Sequence, residues 1–355
     1  QRRAGRRQQS VVCVCAYMWL LPAASLAFAS PRSCPGKAGR HSIQPVASAE
    51  RICEADSLAG RIEDAVCSVY GAEKTARVRA SLAELAAGRE HREVLDPSHP
   101  LMVQEATSYV AGLPATAWHD ASLHKWARKL EDKWQVVRDE LAAWLADSER
   151  LAAQGSGVWA ATAPGMYGPG WKTLPLCDRT VWDDTNAALF PRTCELLHSA
   201  KVPVVEAFFS SMAPRSTIAP HSDGCNFVLT AHLGLVVPEG CELNVGGERR
   251  PWADGKAMLF DTSILHEARN DADSTRYVLM LRVYHPGLSA LERKAMQLVF
   301  DTLDEPELLA DPAALREYDA RRRALEAASR APWEQALAAG KRKGAKGGKA
   351  KGRRR

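Results

Sequence analysis

The sequence predicts an α+β chain with a mainly β core, a sandwich or jelly-roll barrel, flanked by helices. Two observations carry this prediction. Between about residues 158 and 287, short apolar, β-branched runs alternate with turns rich in Gly, Pro, Asn and Asp, which is typical of antiparallel strands. On both sides of this region, apolar residues recur instead at helical spacing.

Composition and charge narrow the class of protein. Apolar residues make up 46% and charged residues 25% of the 355 residues, which excludes collagen-like, wholly disordered and polytopic membrane proteins. Residues 1–49 carry seven Lys and Arg, residues 341–355 carry nine, and neither end carries an acid. The remainder has 31 basic against 42 acidic residues. An acidic body argues against specific nucleic-acid binding.

Residues 1–50 are predicted to be a disordered targeting presequence. Four arginines precede an apolar run from Val11 to Ala24, and small residues follow it. This is the plan of a secretory signal, and the acid-free stretch behind it fits a transit peptide. We therefore expect targeting to an organelle, a plastid or the endomembrane system. The alternative is a membrane anchor formed by residues 11–29.

Residues 51–155 are predicted to form a helical segment that buttresses the barrel. Helical spacing covers residues 57–95 and is strongest over 121–152, where leucines and tryptophans step by three and four. These tryptophans are interpreted as packing residues. Gly155-Ser156-Gly157 ends the second helix.

Residues 156–300 are predicted to form the barrel, with a tight hairpin turn at Gly246-Gly247. The predicted strands are Val202–Met212, Phe227–Val237, Cys241–Val245, Ala257–Phe260 and Tyr277–Tyr284. Residues 301–340 are predicted to be a helical extension. Residues 341–355 are predicted to be a disordered basic tail, which could make weak contacts with an acidic surface.

The nine cysteines contain no CxxC pair, so a disulfide framework or a zinc ribbon is not predicted. Cys177 and Cys194 could bridge in an oxidising compartment, but free buried thiols are the favoured interpretation.

His221, Asp223 and His266 are the candidate metal ligands. Side chains two apart on a strand share a face, so His221 and Asp223 can reach one ion. His266 follows the predicted strand Ala257–Phe260, and a jelly roll brings such distant strands together. Two imidazoles and one carboxylate form the facial triad of non-haem Fe(II) oxygenases. Alone, this pattern is weak evidence, because isolated histidines are often structural.

Arg276 opens the strand that follows His266. Arginine suits bidentate binding of a carboxylate, so Arg276 is a candidate clamp for the far carboxylate of a 2-oxo acid. The alternative is a rim salt bridge with Asp271 or Asp273.

In these motifs the sequence resembles the aspartyl/asparaginyl β-hydroxylase family of Fe(II)/2-oxoglutarate-dependent dioxygenases. The matching segments are SSMAPRSTIAPHSD, AHLGLVVPEGC, PWADGKAMLFDTSILHE and RYVLMLRVYHPGLS. The resemblance covers roughly residues 113–298 and is strongest over 210–286.

The resemblance implies a double-stranded β-helix, a cupin-like jelly roll, that binds Fe(II), 2-oxoglutarate and O2. His221 and His266 match the iron-binding histidines, and Arg276 matches the arginine that binds the distal carboxylate of 2-oxoglutarate. His232 and Ser210 match positions that also hold the co-substrate carboxylates. The implied reaction hydroxylates an Asp, Asn or related residue of a protein or peptide, with succinate and CO2 as co-products. No side chain beyond the metal ligands is nominated as catalytic.

Two positions depart from the family's pattern. The animal members have glycine where this chain has Asp223, so a fuller triad is expected here. They also carry an arginine where this chain has Thr230, which weakens the prediction of an acidic protein substrate. The alternative substrates are a free amino acid or an acyl chain. A non-catalytic binding barrel is the third hypothesis.

Four more residues near these motifs have structural interpretations. Cys225 is predicted to be a core residue, and His285 is predicted to cap or pack. Trp252 and Trp182 could line a substrate cleft or pack in the core. The sequence leaves the oligomeric state open.

Overall fold

A computed structural model describes residues 51–351, with side chains described as far as Arg342. The predicted presequence and the anchor of residues 11–29 lie outside the described residues. The helices are α1 Leu58–Tyr70, α2 Ala76–Ala86, α3 Lys125–Asp132, α4 Trp134–Leu145, α5 Ser148–Gln154, α6 Pro164–Tyr167, α7 Asn186–Leu189, α8 Pro191–Ser199, α9 Ala290–Asp304, α10 Pro312–Arg316 and α11 Tyr318–Lys351. Short 3-10 turns lie at Glu73–Thr75, Ala121–Leu123 and Pro306–Ala310.

The strands form two facing sheets and one small hairpin. They are β1 His91–Val94, β2 Val103–Ala106, β3 Trp118–His119, β4 Trp171–Asp178, β5 Val181–Trp182, β6 Val204–Met212, β7 Ser216–His221, β8 Val228–Val236, β9 Cys241–Val245, β10 Glu248–Pro251, β11 Ala257–Phe260, β12 His266–Asn270 and β13 Arg276–Tyr284. The seven-stranded sheet has the order β3-β11-β8-β13-β6-β4-β5, and the four-stranded sheet has the order β10-β9-β12-β7. Their strand pairs are antiparallel.

From β6 to β13 the chain crosses repeatedly between the two sheets, which is jelly-roll topology. The predicted fold class, a mainly β jelly roll with flanking helices, is therefore confirmed. The five predicted strands correspond to β6, β8, β9, β11 and β13, and the turn at Gly246-Gly247 joins β9 to β10.

The helical prediction for residues 57–95 is wrong at its end. Helix α2 ends at Ala86, and Gly88 has a positive φ of 65°. The chain then enters β1, which pairs with β2 in antiparallel register. Arg92 forms a cross-strand ion pair with Glu105 there, which helical spacing does not reveal.

The helix predicted over 121–152 is three helices, α3 to α5. Lys133 has φ −125° and ψ 17°, outside the helical region, so the helix breaks there. Asp147 makes the second break and accepts a hydrogen bond from the backbone of Arg150. Leu123, one of the leucines at helical spacing in this stretch, is 77% exposed because it precedes the first of these helices. Helix α5 ends at Gln154 and Gly155 caps it, as the predicted stop at Gly155-Ser156-Gly157 requires.

Apolar contacts hold helices against both the outer face and one end of the barrel. Trp126, Leu130 and Leu141 pack under the large sheet with Leu233 and Leu281. A second cluster joins α1, α2 and α9 beside the barrel. The helical layers therefore leave the barrel interior to the inward-facing residues of the two sheets.

Cys177 and Cys194 do not form a disulfide bond with each other, and both are buried. Trp182 packs on Trp333 of α11, with ring centroids 6.1 Å apart, so it is a core residue. Helix α11 extends to Lys351, into the stretch predicted to be a tail. Among the described helices, none has the length and apolar character needed to cross a bilayer.

Candidate metal and co-substrate site

The three predicted metal ligands converge in the barrel. His221 ends β7 and His266 begins β12, and the two are direct partners in the antiparallel register. Their ring centroids are 4.1 Å apart. Asp223 lies two residues beyond β7, in a loop rather than in the predicted strand. Potential ligand atoms of the three residues all lie within 4.8 Å of one another.

Backbone carbonyls select the tautomer of both imidazoles. Nδ1 of His221 donates to the carbonyl of Ala219 at 2.8 Å, and Nδ1 of His266 donates to that of Ile264 at 3.0 Å. Because a carbonyl can only accept, each Nδ1 carries a proton, and in the neutral imidazole Nε2 is then the nitrogen with a free lone pair. This arrangement is typical of metal-binding histidines.

The buried position of His266 keeps it neutral. Burial lowers the pKa of His266 to about 3, and the neighbouring imidazole of His221 acts in the same direction. A metal ligand must offer an unprotonated nitrogen, so this environment favours metal binding at neutral pH.

Asp223 remains ionised although it is buried. Burial acts to raise the pKa of Asp223, but the charge of Arg282 and the nearby imidazoles of His266 and His221 outweigh it and hold the pKa below its ordinary range. Arg282, on β13, donates to Oδ2 of Asp223. The hydroxyl of Tyr167, in α6, donates to Oδ1 at 2.9 Å.

The candidate co-substrate clamp also lies inside the barrel. Arg276 is 2% exposed, and its Nη2 donates to Oγ of Ser210 on the neighbouring strand at 3.3 Å. Its guanidinium lies over the ring of Trp252, 4.6 Å from the centroid. Burial lowers the pKa of Arg276 to about 10. Within residues 51–342, Arg276 forms no salt bridge, and its Nε has no hydrogen-bond partner.

The rim salt bridge considered from the sequence is therefore absent. Asp271 pairs with Arg269, and Asp273 pairs with Arg215. A buried guanidinium with an unsatisfied donor is costly unless an anion binds it. The geometry leaves Arg276 suited to a ligand carboxylate.

His232 presents a second unsatisfied donor. Nε1 of Trp252 donates to Nδ1 of His232 at 3.1 Å, so the imidazole proton resides on Nε2. That Nε2 is buried and has no partner in the described part of the chain. Burial and the charge of Arg276 keep the pKa of His232 well below its ordinary value. Trp252 thus supports both His232 and Arg276 rather than packing in a remote core.

The residues present are suited to bind an iron ion together with a 2-oxo acid. Two neutral imidazoles and a carboxylate form a mixed nitrogen and oxygen donor set, which suits non-haem Fe(II). Arg276 and His232 offer donors that the protein itself does not satisfy. Cys225 is buried in the apolar core, and Nδ1 of His285 accepts from the backbone of Gly287 at 3.0 Å, as expected for structural residues.

The sequence interpretation missed Tyr167 and Arg282. Arg282 lies six residues after Arg276 on the same strand, and this even spacing places both on one face. That spacing could have revealed Arg282. Tyr167 follows Pro164 and Gly165 in an irregular stretch, where the sequence offers no periodicity.

Comparison with known proteins agrees with the resemblance. Residues 131–286 match the profile of the family described as Aspartyl/Asparaginyl beta-hydroxylase. The human Aspartate beta-hydroxylase domain-containing protein 2 is 30% identical over 228 residues, which cover 60% of each chain. The human Aspartyl/asparaginyl beta-hydroxylase is 28% identical over 214 residues, 55% of this chain and 26% of that protein. The predicted family resemblance is confirmed.

The chain matches less than two thirds of the length of these relatives. Among solved structures, a 2OG-Fe(II) oxygenase family oxidoreductase from Burkholderia pseudomallei has a TM-score of 0.28 and 17% identity, over 35% of this chain and 72% of that one. The strand order described above, rather than this likeness, defines the fold.

Proposed function

We propose that this chain, whose residues 131–286 match the aspartyl/asparaginyl β-hydroxylase family, is an Fe(II)- and 2-oxoglutarate-dependent hydroxylase. The observation that carries the proposal is the convergence of His221, Asp223 and His266 beside Arg276, a buried guanidinium without a carboxylate partner among the described residues. Such a constellation combines a three-ligand metal site with an anion clamp.

The protein's part in this reaction is to bind and orient. His221, His266 and Asp223 would hold iron through two nitrogens and one oxygen. Arg276 and Ser210 would bind the distal carboxylate of 2-oxoglutarate, while Nε2 of His232 would donate to a carboxylate oxygen. With these groups and dioxygen bound, the iron supplies the oxidising chemistry that converts 2-oxoglutarate to succinate and CO2 while a C–H bond is hydroxylated.

Apolar side chains would keep water from the reacting groups. The ring of Tyr167 meets that of His221 edge-on, with centroids 5.0 Å apart. Trp171, Phe208 and Met280 continue this buried apolar cluster. An apolar surface that excludes water beside the ligands strengthens the electrostatic interactions within the site.

Succinate formation tests the proposal. Purified protein supplied with Fe(II), ascorbate and 2-oxoglutarate should release succinate, and His266→Ala should abolish this release. His99→Ala, which changes an exposed histidine in a turn, is the matched control. Succinate release by a folded His266→Ala variant at the wild-type rate would refute the ligand assignment.

An aspartyl or asparaginyl residue of a protein or peptide is the first proposed substrate. Thr230 favours a second candidate, a free amino acid or an acyl chain. Thr230 is fully buried, and its Oγ1 has no partner in the described region, so it offers a neutral polar group rather than a cation to the substrate. Mass spectrometry of products from peptide and small-molecule libraries separates these candidates.

Targeting and tail contacts are proposed from the sequence alone. A fluorescent fusion of residues 1–50 should enter a plastid or the endomembrane system. Deleting residues 341–355 should weaken binding to an acidic surface if the basic tail makes such contacts.

A further inference from the structure

Both oxygens of the Asp223 carboxylate are held by the protein. Tyr167 donates its hydroxyl to Oδ1 at 2.9 Å, and Arg282 donates to Oδ2. Asp223 is 4% exposed, so these hydrogen bonds lie away from water. Because Asp223 stands in a loop beyond β7, its strand does not set the direction of its side chain. Side-chain partners must do so.

The two hydrogen bonds have different positions relative to the candidate metal. Oδ1, the oxygen that accepts from Tyr167, lies 3.8 Å from Nε2 of His221. The ring of Tyr167 also packs edge-on against the imidazole of His221. Tyr167 therefore contacts two of the three candidate ligands, Asp223 and His221. Arg282 binds the other oxygen of the Asp223 carboxylate.

The position of Tyr167 is itself well defined. Its ring packs on Trp171, with centroids 4.6 Å apart. The short helix α6 is bounded by Ala163 with φ 45° and Gly168 with φ 74°, so the chain turns sharply on both sides. A tyrosine fixed by packing can place its hydroxyl with little loss of freedom on binding.

We propose that Tyr167 is a positioning residue that orients Asp223 as a one-oxygen metal ligand before a metal binds. This inference rests on the proposed function. Partners that hydrogen-bond to metal ligands orient them and typically affect metal affinity by about 10- to 100-fold. Here Arg282 anchors Oδ2, and the Tyr167 hydroxyl holds Oδ1, the carboxylate oxygen that lies 3.8 Å from Nε2 of His221.

Cobalt(II) binding without 2-oxoglutarate or oxygen tests the role of Tyr167 independently of turnover. Calorimetry of the full chain should show that Tyr167→Phe, which keeps the ring and removes the hydroxyl, binds cobalt about 10- to 100-fold more weakly than wild type. Tyr109→Phe is the matched control, because Tyr109 stacks on His91, which is not one of the candidate ligands. It should bind cobalt as wild type does. Equal cobalt affinity of Tyr167→Phe and wild type would overturn the inference.

A double-mutant cycle with Asp223→Asn shows whether Tyr167 acts through Asp223. In the Asp223→Asn background, adding Tyr167→Phe should weaken cobalt binding by less than about threefold. An undiminished effect there would mean that Tyr167 does not act through the carboxylate, and would overturn the inference. Unchanged cobalt binding by Asp223→Asn alone would instead contradict the proposed ligand set. Thermal unfolding of each variant checks that it is folded.

Discussion

Arg276 carries a buried charge that the described part of the protein does not neutralise. We predict that Arg276→Met lowers the affinity for 2-oxoglutarate by about 2–4 kcal/mol, roughly 30- to 1,000-fold, because a buried charge-assisted contact is lost. The free energy of unfolding should fall by no more than about 1 kcal/mol, since removing the unpaired charge offsets lost packing. Calorimetry with manganese-loaded protein and urea denaturation measure the two quantities.

Arg269→Met is the control for this substitution. Arg269 lies on β12, in the four-stranded sheet, where it pairs with Glu242 and is partly exposed. Its replacement should leave 2-oxoglutarate affinity unchanged. Similar affinities for the Arg276 variant and wild type would contradict the assignment of the clamp.

The buried carboxyl group of Asp261 should make the free energy of unfolding depend on pH. Burial raises the pKa of Asp261 from 3.8 to about 6, although hydrogen bonds from Ser263 oppose this rise. Between these pH values the folded state holds a proton that the unfolded chain releases, so this contribution to stability is lost as the pH rises from about 4 to 6. Relative to wild type, Asp261→Asn should become more stable over this window by up to about 3 kcal/mol.

Urea denaturation of both proteins at pH 4 and pH 7 measures this difference. Asp273→Asn, which changes an exposed carboxylate, should follow the wild-type pH dependence. If the Asp261→Asn and wild-type stabilities differ by the same amount at both pH values, the buried carboxyl group does not titrate as stated.

Residue types and their spacing predicted much of the site. His221 and His266 lie together because β7 and β12 are paired strands, and Asp223 joins them from the loop after β7, where strand alternation no longer applies. Arg276 lies beside Ser210, a position that the family resemblance implied, on the neighbouring strand β6. Tyr167 could not be predicted from a periodic pattern. Its position depends on a turn whose backbone enters a left-handed conformation at Ala163, which is uncommon for a residue other than glycine.

At the scale of elements, the backbone of β8 at Gly234 lies close against the turn that precedes β11. A Cβ atom on Gly234 would lie 2.1 Å from the carbonyl oxygen of Ala253. We predict that Gly234→Ala lowers the free energy of unfolding by about 2–4 kcal/mol, because the backbone must shift. It should also weaken 2-oxoglutarate binding, since His232 and Trp252 lie on the two segments that would separate.

Chemical denaturation and calorimetry measure these effects. Gly340→Ala is the control, because a Cβ there meets nothing within 4 Å. Its stability should equal or slightly exceed that of wild type. If Gly234→Ala has the stability and the 2-oxoglutarate affinity of wild type, the close contact between the two segments is not required for either property.

Several apolar strands were predicted, although the buried strand β4 was not, and the polar strands β7 and β12 were also missed. Strands β6, β8 and β13 are buried along nearly their whole length, so their apolar runs stand out in the sequence. Strands β7 and β12 have the sequences STIAPH and HEARN and are partly exposed. Their pairing with each other defines them, and such long-range pairing is not visible as local periodicity.

At the scale of the whole molecule, α11 packs the C-terminal extension against the barrel. Trp333 is 1% exposed and packs against Trp182. Arg322 on the same helix pairs with Asp301 of α9 and donates to Oγ1 of Thr180 at 2.9 Å. We predict that Trp333→Ala lowers the free energy of unfolding by about 3–5 kcal/mol, as expected for a large buried aromatic.

Thermal and urea unfolding measure the contribution of Trp333. Gln335→Ala, an exposed position two residues on, should change the free energy of unfolding by less than about 0.5 kcal/mol. Equal stability of Trp333→Ala and wild type would mean that the extension does not support the barrel. The sequence predicted this extension as helical, but helical spacing alone does not identify the surface on which a helix packs.

The direct pairing of His221 with His266 bears on how the sequence can change. The two ligand strands are hydrogen-bonded neighbours, so their alignment does not depend on the length of the connections between them. The N–H of Gly246 donates to the carbonyl of Leu265, so an insertion after Gly246 that keeps this hydrogen bond should extend an edge hairpin and leave the imidazoles in place. Loops around the barrel can thus change in length and chemistry while the candidate metal site stays fixed. Such changes offer a route to altered substrate choice, in natural divergence or in the laboratory.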